Sequence, residues 1–97
     1  MIKHIVMFRF KDIGPQKDKT VLNFKNALLE LPEKVKALES IEVGNNFNKN
    51  EKWDLVLTAC VKDENSLKEY SNHPLHIAAV SIVKDIIEER ACVDYKI

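Results

Sequence analysis

IKHIVMFRF, residues 2–10, carries the decision about the fold. Ile2, His4, Val6, Phe8 and Phe10 alternate with Lys3, Ile5, Met7 and Arg9. A period of two is that of an extended strand whose successive side chains leave on opposite faces. Apolar residues stand on both faces, so both must be covered. Residues 53–61, WDLVLTACV, repeat the pattern: Trp53, Leu55, Leu57, Ala59 and Val61 share one face, and Asp54, Val56, Thr58 and Cys60 the other. Between these strands, Gly14-Pro15 opens a helix, because proline suits a first helical turn. Val21, Phe24, Leu28 and Leu31 recur at helical spacing and predict a helix from about Gln16 to Leu31 that Pro32 ends. EKVKALES adds a short helical turn, and residues 41–47, IEVGNNF, read as a strand that weakens at Gly44. After Asp63 a short helix carries Leu67 and Tyr70. Pro74 restarts a longer helix with a stripe of Leu75, Ala79, Ile82 and Ile86, and ACVDYKI forms a last strand.

Strand, helix, strand, strand, helix, strand is the order of a ferredoxin-like α+β sandwich, one domain over residues 1–97. Its helices cover one sheet face only. The other face is also apolar, and the simplest cover is the same face of a second copy, giving a two-fold homodimer.

Charge narrows the partners. Fifteen basic and fifteen acidic residues cancel, and the lysines are spread over the chain, so neither a nucleic-acid footprint nor a polybasic membrane patch is expected. The first ten residues lack the continuous apolar stretch of a signal peptide, and no run approaches a membrane span. The expectation is a cytoplasmic protein. Cys60 and Cys92 are the only cysteines. In the usual ferredoxin-like order their strands are two spacings apart, about 9–10 Å, beyond the ~7 Å reach of a disulfide. Both are expected as free thiols packed in the core.

The segments KHIVMFRFKD, YSNHPLH and VDYKI, with the HP-x-H run before the last helix and the H-x-V-x-F strand, resemble the stress-responsive A/B barrel domain over nearly the whole chain. The resemblance implies two sheets packed face to face in a dimer around an interior cavity. Most members lack an assigned activity, and some resemble structural or stress-tolerance proteins. One plant member is a polyketide cyclase that closes a linear poly-β-keto thioester into an aromatic acid without a cofactor. Its acid-base histidine and tyrosine match His76 and Tyr70, and a pocket histidine matches His4. Where the cyclase has a further histidine on the third strand, this sequence has Asp54.

The residues themselves support two readings of YSNHPLH. His73 precedes Pro74 and is held out of the helix, near its N-cap, while His76 falls in the first turn. The positive end of the helix disfavours imidazolium there, and a neutral imidazole is what a general base requires. Tyr70, reaching back, would donate a hydrogen bond to a developing enolate oxygen. In the other reading His76 and Tyr70 only fix the turn between helices. His4 is a pocket wall or a satisfied core residue, and Asp54, on an apolar face, needs a partner or a raised pKa. His73 and His76, with His4 and Asp54, have the residue types of a metal set. Yet His73 stands outside the helix and the pair need not converge, so neither metal nor cofactor is expected. Three functions follow: a homodimer whose cavity binds a small apolar or aromatic ligand, with His76 and Tyr70 as catalytic pair and His4, Asp54 and His73 beside the ligand; a non-catalytic structural dimer; and, by fold analogy alone, a cofactor-independent monooxygenase-like enzyme.

Overall fold

The computed structural model describes all residues, Met1–Ile97. β1 (Ile2–Phe10) leads through a 3-10 turn (Gly14–Gln16) to α1 (Lys17–Leu29) and the short α2 (Leu31–Lys34). β2 (Leu38–Asn45), β3 (Leu55–Val61), α3 (Glu64–Asn72), α4 (Pro74–Ser81) and β4 (Ile87–Lys96) complete the chain. The strands form one antiparallel sheet in the order β2-β3-β1-β4, the ferredoxin-like arrangement. No helix is long and apolar enough to cross a membrane.

The alternation in β1 holds throughout. Ile2, His4, Val6, Phe8 and Phe10 are buried under the helices. From β3 come Leu55, Leu57, Ala59 and Val61, and from α1 Phe24 and Leu28, all buried. Phe8 and Phe10 stack at 5.7 Å between ring centroids, and Phe24 stands edge-on to both. Each such aromatic pair adds about 0.5–1.5 kcal/mol beyond the area it buries. On the opposite sheet face Ile5 and Met7 are half-buried, while Val56, Val93 and Tyr95 are exposed.

Several boundaries differ from the expected ones, among them β3, which starts at Leu55 rather than Trp53, and β4, which starts at Ile87 rather than Ala91. α1 stops at Leu29 rather than at Pro32, and Pro32 instead sits in the first turn of α2. A proline ring clashes with the carbonyl four residues earlier, here Leu28, so the chain breaks before reaching it. β2 begins at Leu38, earlier than read, and ends at Asn45. α4 ends at Ser81, and the expected stripe through Ile82 and Ile86 is not helical. Ile82, Val83, Ile86 and Ile87 are β-branched, which weakens a helix and suits a strand. The backbone bond from Lys11 N–H to the Ile86 carbonyl and the pairing of Ile87 with Phe10 draw this segment into the sheet.

Strand order also corrects the cysteines. β1 lies between their strands and both thiols are free, as expected, but neither is in the core. Cys60 is half-buried on the open sheet face, and Cys92 is exposed on β4 opposite Val6. The helices bury β1 and β3 but leave the same face of β4 uncovered, with Arg90, Cys92 and Asp94 exposed.

Candidate functional site

The site gathers where β1, β4 and the α3–α4 corner meet. His4 is buried on the helix-facing side of β1, and strand register places Asp94 of β4 directly opposite. His4 Nδ1 lies 2.5 Å from Asp94 Oδ1. A carboxylate oxygen can only accept, so Nδ1 carries the proton and Nε2 is left as the other working atom. Cys92 lies alongside, its Sγ 3.6 Å from the same Nδ1. Burial and the Asp94 charge push the Cys92 thiol up, which keeps it protonated and a poor nucleophile.

The α3–α4 corner supplies the other two rings. α3 starts on Asp63, whose side chain accepts from the Ser66 N–H at 2.8 Å. That bond holds the Asp63 carboxyl below its usual range. Its last full turn carries Tyr70, fully buried, with its ring 4.5 Å from that of His76 and 6.1 Å from that of His4. Burial pushes the Tyr70 phenol up, so it stays protonated as a donor. Its hydroxyl has no hydrogen-bond partner in the chain. A buried polar group left unpaired costs about 1–3 kcal/mol, so the fold carries a donor that it does not itself use.

His76 Nδ1 lies 3.0 Å from the Ser71 carbonyl oxygen. A carbonyl cannot donate, so Nδ1 is protonated and the neutral ring keeps its lone pair on Nε2. Burial lowers the His76 pKa, against the Ser71 bond, which raises it; neighbouring His4 and Arg90 charges add to the lowering. The direction is the expected one, but its largest cause is desolvation rather than the helix end.

A cavity of about 220 Å³ is lined by His4 and His76 but not by Tyr70, whose ring packs behind theirs. His4, Ser71, His76 and Arg90 supply its polar wall, and apolar side chains of β1, α1, β3, α4 and β4 the rest. A more open groove of about 250 Å³ lies on the other side of His76, sharing Ser71, His76 and Val80 with the inner cavity.

Two of the expected site residues stand elsewhere. His73 caps α4: its Nδ1 accepts from the Leu75 N–H at 3.1 Å. Asp54 lies at the opposite end of β1, where its carboxylate accepts from the Phe10 N–H at 2.7 Å and sits 3.6 Å from Lys17 Nζ. Neither lines the cavity. The set His73, His76, His4 and Asp54 is therefore not brought together as metal ligands. Another set is: His4, Cys92 and Asp94 hold one nitrogen, one sulfur and one oxygen within 4.8 Å of one another, donor types that zinc accepts. Its shortest leg is the hydrogen-bonded His4–Asp94 contact. Asp94 and Arg90 escaped the reading of the sequence. The available signal was the alternation of polar Arg90, Cys92 and Asp94 with apolar Ala91, Val93 and Tyr95, which marks β4 as two-faced but leaves its register with β1 open.

Comparison with known proteins agrees with this fold. A dimeric protein of unknown function and ferredoxin-like fold from Bacteroides fragilis is 39% identical, with a TM-score of 0.93 over 99% of this chain and 95% of that one. A dimeric ferredoxin-like protein of unknown function from Thermobifida fusca is 26% identical, with a TM-score of 0.85 over 99% and 90% of the two chains. An uncharacterised protein of Streptomyces coelicolor is 28% identical over 86 residues, 88% of this chain and 89% of the relative. The stress responsive A/B barrel domain profile matches residues 2–97, and the chain belongs to that family.

Proposed function

We propose that this chain works as a homodimer whose cavities bind a small apolar or aromatic molecule and move a proton on it without a cofactor, through His76 and Tyr70. The observation that carries the reading is the buried Tyr70 ring, its phenol pushed up by burial and its hydroxyl unpartnered, packed beside the imidazoles of His76 and His4 that line the cavity. The roles follow from the tautomers. His76 Nε2 takes a proton from a carbon next to a carbonyl, and its lowered pKa keeps it neutral for that task. Tyr70 O–H donates to the oxygen on which charge develops. His4, oriented by Asp94 as a histidine is by a neighbouring carboxylate, presents Nε2 as a second proton carrier.

The homodimer is supported by the dimeric relatives and by the apolar residues of the open face, Ile5, Met7, Val93 and Tyr95. A stable monomer at micromolar concentration, measured by light scattering, would remove it. A second reading, a non-catalytic dimer, is favoured by the bonds of His76 to Ser71 and of His73 to Leu75, which hold the corner whatever the cavity does. An NMR titration of the three histidines with small aromatic and β-keto acids separates the two. His76 titrating below about 6.5 and shifting with a ligand supports the cavity. Three histidines indifferent to every ligand support the corner.

A further inference from the structure

We infer that the cavity selects an anionic ligand, a small apolar carboxylate whose charge is met by Arg90. This deepens the ligand-site reading above and rests on it. Arg90 is the one permanently charged side chain on the inner wall, and no carboxylate lines that wall. The groove beyond His76 adds a second cation, Lys84, and again no acid. Nearby carboxylates on β4 are already engaged: Glu88 with Arg9 at 3.1 Å, Glu89 with Lys52 at 2.6 Å, and Asp94 with His4. Arg90 makes no ion pair within the chain; its polar neighbour is the Cys92 thiol, a weak acceptor. A hollow with one free guanidinium, two imidazoles and apolar walls therefore lacks only a counter-charge.

A carboxylate suits that wall better than a neutral group. The guanidinium presents paired N–H donors in the geometry a carboxylate accepts. Arg90 is exposed, so solvent screens part of the pair, and the apolar side chains on the inner side of the cavity strengthen the rest. Size sets the rest of the class. At about 220 Å³ the cavity is smaller than the ~300–1,000 Å³ typical of larger ligands, so a single ring or a short acyl chain fits. Seated there, the anion would lie near His76 and raise its pKa, opposing the burial that lowers it.

The test compares benzoate and hexanoate with benzamide and hexanamide, by calorimetry and by histidine NMR, on the wild type, Arg90→Gln and Arg90→Lys. Arg90 is exposed on an edge strand, so both variants should fold, and circular dichroism checks that they do. We expect an acid to bind the wild type about tenfold or more tighter than its amide, the effect of one charge-assisted pair, and to raise the His76 titration midpoint. Arg90→Gln should erase that preference, bringing acid and amide to similar affinity, and Arg90→Lys should keep part of it. Equal affinity for acid and amide in the wild type, or a preference that survives Arg90→Gln, overturns the anion assignment and leaves the ligand site standing. If no probe binds or shifts any histidine, the assignment falls together with the ligand site.

Discussion

At one end of β1, Phe8 and Phe10 stack and Phe24 closes against both, an aromatic cluster of which Phe8 and Phe24 also wall the cavity. Towards the other end, the same face carries His4, and the space above it holds Tyr70, His76 and a cavity. The two ends share a strand, a sheet and a helix layer. They differ in what their side chains need. Phenylalanines are satisfied by contact alone, whereas a phenol and two imidazoles need partners of defined direction, and the chain supplies only some of them. One end of the core holds the fold together, and the other is left chemically unfinished.

The largest effect that would test this division is expected at the filled end. Phe24→Ala should destabilise by about 3–5 kcal/mol, the usual cost of emptying a well-packed aromatic site, read from urea unfolding. A loss below 1 kcal/mol would show that the aromatic end is no better packed than the hollow one. Asp54→Ala comes next. It frees the Phe10 N–H and the Lys17 ammonium, and about 1–3 kcal/mol should be lost, with histidine titrations unmoved because the site lies far along β1.

A smaller effect should appear as a pH dependence. The folded pKa of His76 is lowered, so between that pKa and the unfolded value near 6.5 the unfolded chain binds more protons than the folded one. Stability should therefore be complete above the unfolded value and fall as pH drops through this window, and His76→Gln should flatten that part of the curve. Smallest of all is Tyr70→Phe, which removes a hydroxyl with no partner. Its stability should be unchanged or slightly raised, while the His76 titration moves and ligand binding weakens. A clear loss of stability would mean that the hydroxyl is bonded after all.

How much of this was readable in the residues follows the same division. The filled end was legible: alternation in β1 and β3 and the Phe24–Leu28 spacing name core residues without knowledge of register. Ring proximity at Tyr70 and His76 was legible too, because six residues across a helix corner are local. Asp94 and Arg90 were not. Their place depends on how β4 registers against β1, which no local pattern states. Asp54 misled for a different reason: it was read as part of the third strand but precedes β3, and its partners are the Phe10 backbone and Lys17, contacts across the fold. The length of α4 was overstated because a run of Ile and Val satisfies helical and extended periodicities alike.

β1 pairs with β4 along its whole length, from Ile2 against Lys96 to Phe10 against Ile87. During synthesis, which runs from the first residue onward, the first strand must wait for the final one before it gains a neighbour on that side. Contacts spanning so much sequence also slow the search for the native sheet. The His4–Asp94 bond joins residues 90 positions apart and cannot exist before that closure. A partly made chain can thus bury much of its aromatic end while its imidazole is still undirected, so chemical competence should arrive last, in the same event that completes the sheet.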